Sequence, residues 1–363
     1  MQRPEYKKVF AISQSALKAF KTKTLQEFVE LYINKEEEDD DVDAKFAFGS
    51  LVDTIAFNPE LLDERFYIPS YEVALPSEKV QQIIDKVYKE AASKVEMINT
   101  LNEKGNLPEP IYLPNIADIW EWQDLVIKHA KAVGFGGSTW STNRIMDKIG
   151  DEGNPYFRLL GESNGRQVIT SADNMDAVEV VDKLKTNKLT YPYFTQQENE
   201  TLLFQQEIFI DHVFKDGLIV PLKGAIDIIR IKHHSESVEI PDLKTTHTSE
   251  QFAKIARDFG YIVQVSFYTN LVREWLKTYE DGKYAHYTIE IPSNIVIDRK
   301  NKIPFIYEYF AEDLDIIEFG SKERGIEGWR STLEQIGWHI ATKQWDIPRE
   351  LFETGKIKLR IFR

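Results

Sequence analysis

Residues 224–246 read GAIDIIRIKHHSESVEIPDLKTT, two apolar runs joined by a polar turn. Asp227 sits in a run otherwise made of Ile and Ala, and Asp242 ends the second run with Lys244 two residues on. Side chains alternate along a strand, so Asp242 and Lys244 share one face while Leu243 points to the other. If the two runs pair as a hairpin through His233-His234-Ser235, Asp227 and Asp242 approach each other. Two carboxylates buried together repel and take up protons unless a cation lies between them. Oxygen ligands on an open site suit a hard ion, Mg²⁺ or Mn²⁺. Lys244 then serves as a compact charge that orients an attacking water or offsets the negative charge of a pentacovalent phosphorus. Taken alone, D-x-K equally describes a surface ion pair; Asp227 inside an apolar strand moves the balance toward a metal site.

Working outward, residues 201–213, 218–231 and 237–245 are strand-like, with turns at Asp216-Gly217 and at residues 233–235. A long helix is expected over 249–277, strands over 284–291 and 303–310, and a last helical region over 311–343. Upstream, Ser13 is a plausible N-cap for a helix carrying Leu17, Phe20, Phe28 and Leu31. Residues 45–57 (KFAFGSLVDTIAF) read as a short buried helix stopped by Asn58-Pro59, and the charged Asp53 inside it is unexpected. The cleanest amphipathic helix covers 77–101; a loop over 105–115 and a second helix over 117–133 follow. Gly134, Gly136 and Gly137 read as a plain loop, lacking the strand that a dinucleotide fingerprint needs. Thr170 with Asp173 forms a capping box that opens a helix to about residue 186. The pattern describes one α/β domain over residues 1–363, with a helical elaboration around 70–160 and a core over 200–310 plus the helices of 12–60.

The 363 residues carry 45 Lys+Arg against 59 Asp+Glu, a net charge of −14, and no cysteine. Without cysteine there is no disulfide, thiol nucleophile, cysteine-bound zinc or iron–sulfur cluster. No run of 18 apolar residues exists, so no membrane helix is expected, and the first residues read as a cytoplasmic start. The net charge argues mildly against non-specific nucleic-acid binding without excluding it, since phosphate contacts depend on local basic patches. Acid is concentrated at 36–43 (EEEDDDVD), read as a solvated loop, whereas the first 35 residues are basic.

Pro241-Asp242-Leu243-Lys244, followed by Thr245-Thr246, and the preceding Gly224-Ala225-Ile226-Asp227 resemble the PD-(D/E)XK nuclease superfamily, within it the RecE/RecB-like exonucleases that include phage recombination nucleases. Gln264 and Tyr268 resemble the Q-x-x-x-Y signature of RecB-type nucleases, four residues apart on one helix face. Ser13-Gln14-Ser15-Ala16-Leu17 resembles the S-x-S-x-L opening of that branch, and FGSLVDTIAFNPE its F-G-x-x-x-H helix. The likeness touches residues 12–60 and about 200–290, and more weakly 165–190.

The resemblance implies a restriction-endonuclease-like core, a central mixed β-sheet flanked by helices. It implies a metal-dependent DNA exonuclease in which Asp53, Asp227, Asp242 and the carbonyl of Leu243 hold Mg²⁺ and Lys244 positions water. Gln264 and Tyr268 would line the DNA side. Asp53 stands where the RecB-type pattern has a His; related phage exonucleases carry a helix-borne carboxylate there, and an Asp paired to an Arg or a helix end is the alternative. Glu207 lies in the strand before Asp227, where relatives often carry a Glu, and Gln205 is a weaker candidate. His233 and His234 read as a solvated turn and the Trp residues as core. Linear duplex DNA, 5′→3′ digestion, a single-strand annealing partner and a homo-oligomeric ring follow from the same likeness. An endonuclease or single-strand nuclease of this fold, or a non-catalytic DNA-binding or regulatory protein on it, are the competing readings.

Overall fold

In the computed structural model, which describes residues 6, 9–34, 44–71, 74–103, 116–137 and 139–357, the chain divides into two units. One is residues 41–178; the other joins residues 1–40 to 179–363. The acidic run at 36–43 and the loop at 105–115 lie outside the described residues.

The unit over 41–178 is helical. Its 3.6-residue apolar stripes become the helices Glu78–Glu103, Gln123–Ala132 and Thr142–Ser163. Val80, Ile83, Ile84, Val87, Ile149 and Phe157 close a core of their own. The helix Thr142–Ser163 is capped by Ser141 and accommodates Pro155; its Gly150 and Gly153 leave room for the Trp120 and Ile84 side chains. Two short strands, β1 (Phe66–Tyr67) and β2 (Gln167–Val168), pair in parallel. The helix Ala44–Phe57 ends at Asn58-Pro59 as expected and carries Asp53, half-buried. The helix Ser171–Thr186 starts behind the Thr170 cap, whose hydroxyl accepts from the Asp173 amide at 3.0 Å.

The second unit holds two mixed sheets. In the first, β3 (Glu200–Val213) and β4 (Ile219–Lys232) form a long antiparallel hairpin, and β5 (Ser237–Glu239) pairs antiparallel to β4. In the second, β6 (Asp242–Thr246) is the first strand. The two-residue β7 (Thr288–Ile289) returns to the first sheet beside β5, giving the order β3-β4-β5-β7. The second sheet is completed by β8 (Ser293–Asp298), parallel to β6, and β9 (Pro304–Glu308), antiparallel to β8. Ile226, Ile229 and Ile231 of β4 pack with Leu17, Phe267, Leu271, Trp329 and Leu333 into the main core, where the Trp329 indole donates to Ser266 at 2.9 Å. Among the described residues no helix is long and apolar enough to cross a membrane.

Several expected elements are cut shorter. Residues 237–245 are two strands in different sheets, because Ile240-Pro241 interrupts the run and proline has no amide for the ladder. The first helix stops at Thr22 and a new turn restarts behind Thr24, which forms a capping box with Glu27. The helix expected over 249–277 breaks into Phe252–Phe259 and Tyr261–Leu276 at Gly260, whose φ of 71° is left-handed. The last helical region divides likewise into Ala311–Phe319 and Trp329–Thr342. The strand expected over 284–291 shrinks to β7, and β8, absent from the sequence reading, runs through the middle of its sheet.

Candidate active site

The break at Pro241 builds the site. It carries the chain from the first sheet to the second, so that Asp227 on β4 and Asp242 on β6 face each other across the junction of two sheets rather than within one hairpin. The Leu243 amide donates to Asp227 Oδ2 at 3.1 Å, fastening the start of β6 to β4 through a side chain. Gly224 lets the helix Tyr261–Leu276 come close: a Cβ there would meet Leu271 Cδ1 at 2.5 Å and the Tyr268 ring at 3.1 Å.

Asp242 is buried, 3% exposed, and its carboxylate is held from three sides. Gln264 Nε2 donates to Oδ1 at 3.0 Å, Asn294 Nδ2 to Oδ2 at 3.1 Å, and the Lys244 ammonium forms an ion pair with Oδ2. Asn294 is itself fully buried, in register with Asp242 across the β6–β8 ladder, and its Oδ1 accepts from the Tyr309 hydroxyl at 2.5 Å. Burial raises the Asp242 carboxyl above its usual range, Lys244 opposes the rise, and Asp227, within hydrogen-bonding reach, adds to it. For Lys244 burial works against the charge, but Asp242 and Asp227 together outweigh it and hold the ammonium above its ordinary value.

Asp227 has a second support in Gln205, offered by the sequence only as a weaker candidate. Gln205 stands opposite it on β3, with Phe204 paired to Ile228 and Gln206 to Ile226 on either side. Gln205 adopts a left-handed φ of 48° and donates from Nε2 to Asp227 Oδ1 at 2.8 Å. A non-glycine residue in that conformation costs on the order of 1 kcal/mol or more, so some strain is held beside Asp227.

The structure thus brings together Asp227, Asp242, Lys244, Leu243, Gln264 and Tyr268. Burial first, and Asp242 after it, push the Tyr268 hydroxyl up to about 12. Gln264 touches Asp242 directly. Glu207, two residues along β3 from Gln205, stands beside Tyr6, whose hydroxyl is raised by burial, then by Tyr268 and Glu207. Asp53 lies in the other unit. His233 is part of the turn after β4, its ring 2.9 Å from the Thr201 hydroxyl and stacked on Tyr284. Asn294, Tyr309 and the part played by Gln205 escaped the sequence reading; a polar Asn at the head of an apolar run was the one available signal.

Among the described residues, no three His, Asp or Glu side chains gather as a metal cluster. The pair Asp227–Asp242 nonetheless fits a hard divalent ion. Two carboxylates in contact call for a proton or a cation between them. Mg²⁺ is commonly bound through only one or two carboxylates, keeping several of its waters.

Residues 167–347 match the family model of the PD-(D/E)XK nuclease superfamily, a span that takes in the carboxylate pair, Lys244 and Asn294 and leaves out residues 12–60. No curated protein matches the chain.

Proposed function

Because residues 167–347 form a PD-(D/E)XK nuclease superfamily domain, we propose that the protein is a Mg²⁺-dependent DNA exonuclease of the RecE/RecB-like branch. The contact between Asp227 and Asp242, with the Lys244 ammonium beside them, carries this reading. Asp227 and Asp242 would hold the ion, with the Leu243 carbonyl, Asp53 and Glu207 as further ligands. A bound divalent ion supplies Lewis-acid stabilisation of the phosphate oxygens and of the departing 3′-oxygen.

The side chains do the rest. Lys244, kept charged by its two carboxylate neighbours, orients the attacking water and meets the negative charge that builds on phosphorus. Gln264 and Asn294 hold the Asp242 carboxylate in one orientation, and Gln205 does the same for Asp227. Linear duplex DNA as substrate, 5′→3′ digestion, a ring-shaped homo-oligomer and an annealing partner rest on the motif likeness at residues 13–17, 242–246 and 264–268. Retention of both acids and the lysine favours an active enzyme over a binding protein built on the same fold.

The test is cleavage of linear, nicked, circular and single-stranded DNA in Mg²⁺ and in excess EDTA, by the wild type and by Asp242→Asn. Linear duplex should be shortened from its ends only with metal, and the variant should be inactive. Cleavage that persists in EDTA sinks the metal mechanism, and cutting of closed circles makes the enzyme an endonuclease.

A further inference from the structure

A file of aromatic rings runs from the active-site lysine to the protein surface. Tyr261 opens its helix three residues before Gln264 and seven before Tyr268, so the three share one helix face. The Lys244 ammonium stands 4.9 Å from the Tyr261 ring centre. Tyr261 lies nearly parallel to two further rings, Phe252 at 5.9 Å and 21° and Phe259 at 5.8 Å and 20°. Phe252 is buried and packs on Tyr307 at 5.3 Å, which anchors the file in a small core with Val296. Phe259, the outer member, is 46% exposed. It is the last residue of the helix Phe252–Phe259, directly before the left-handed Gly260 that aims the next helix at the carboxylates.

A cation stands at the Phe259 ring. The Lys18 ammonium lies 6.0 Å from its ring centre. A flat apolar ring with an ammonium next to it matches one nucleotide, the base on the ring and the phosphate on the cation.

We propose that Phe259, backed by Tyr261 and flanked by Lys18, is a stacking platform for a nucleobase next to the scissile phosphate. The proposal rests on the nuclease reading and names what that site grips. A base resting on a protein ring has left its own helical stack, which is costly inside a continuous duplex and least costly at a frayed end or in a single strand. The platform therefore selects DNA with an unpaired nucleotide at the point of cutting, such as a duplex end carrying a short single-stranded tail.

Binding is measured in Ca²⁺, without turnover, by fluorescence anisotropy of a blunt duplex and of the same duplex with a single-stranded tail. Phe259→Ala should bind the tailed DNA about 5- to 100-fold more weakly, as for loss of one base-stacking ring, and the blunt duplex nearly as well as the wild type. The variant should stay folded, with at most a small drop in melting temperature, because the ring is only about half covered. Phe259→Trp should keep the affinity, and its added emission should be quenched by tailed DNA more than by blunt DNA. Lys18→Ala should cost less and mainly flatten the salt dependence. Unchanged binding by Phe259→Ala, or emission of the Phe259→Trp protein that is indifferent to DNA it does bind, overturns the platform and leaves the nuclease reading standing. A wild type that neither binds nor cuts any DNA overturns both.

Discussion

Asp242 shows how much a single side chain is asked to do. It is buried, touches a second carboxylate, and accepts from an amide on each side while paired to Lys244. Burial, opposed by Lys244 and reinforced by Asp227, makes the folded protein hold this proton to higher pH than the unfolded chain does. The folded state then binds more protons between the ordinary carboxylate range and the raised value, so stability falls as pH rises through that interval. In EDTA this contribution lowers the melting temperature between about pH 5 and about pH 7, against the opposite contribution of His212 and His339, whose values burial lowers. Asp227→Asn removes the neighbouring charge, so the melting temperature should fall less, or rise more, as pH increases, at the expense of one of the bonds its oxygens accept from Gln205 and the Leu243 amide. A slope identical in the two proteins, followed by calorimetry, would show that the pair does not govern it. Adding Mg²⁺ should stabilise the wild type, and the variant much less.

At the level of elements, the site depends on the approach of a helix to a strand. Gly224 on β4 faces Leu271 and Tyr268 of the helix Tyr261–Leu276, and the same helix brings Gln264 to Asp242. Gly224→Ala places a methyl group 2.5 Å from Leu271 Cδ1 and 3.1 Å from the Tyr268 ring. Overpacking of this kind costs roughly 1–3 kcal/mol and is relieved by moving the helix outward. The expected result is a lower melting temperature together with a smaller stabilisation by Mg²⁺, since Gln264 moves with the helix. A melting temperature equal to the wild type would mean that Leu271 turns aside and the helix stays in place. The G-x-x-D pattern thus has two physical parts, a glycine that admits the helix and an acid that meets its partner carboxylate on β6.

On the scale of the whole molecule, the chain is two units with separate cores. Asp227 and Asp242 belong to the unit of residues 1–40 and 179–363, Asp53 to the unit of residues 41–178. If Asp53 serves the ion, Asp53→Ala should weaken the apparent Mg²⁺ affinity and lower the rate at low metal, with partial rescue at high metal. Asp53→His should keep measurable activity, better with Mn²⁺ than with Mg²⁺, because imidazole suits the softer ion. If Asp53 serves only its own unit, Asp53→Ala should lower the melting temperature equally with and without metal. A metal titration read by cleavage rate and by melting temperature separates the two outcomes.

What was legible from residues alone follows one rule: local patterns carry local information. The apolar setting of Asp227, the D-x-K spacing and the Q-x-x-x-Y helix face located the carboxylates, the lysine and the glutamine, because each depends on a few neighbouring residues. The helices of 78–103 and 171–186 were visible for the same reason, as periodicity and a cap. Strand β8 was not, because all six of its residues are buried and a strand covered on both faces shows no alternation. With β8 went Asn294, whose meeting with Asp242 is a parallel pairing between segments 52 residues apart. The expected hairpin through residues 233–235 forms between β4 and β5 but ends before Asp242, at Pro241, where the chain changes sheets; only the folded backbone could decide that the two acids meet across that junction. The left-handed Gln205 is of the same kind, since nothing in its neighbours forces the conformation and its bond to Asp227 comes from the facing strand. Sequence singled out the groups proposed to act, and tertiary structure decided their supports, because a support is chosen by whatever distant strand comes to lie alongside.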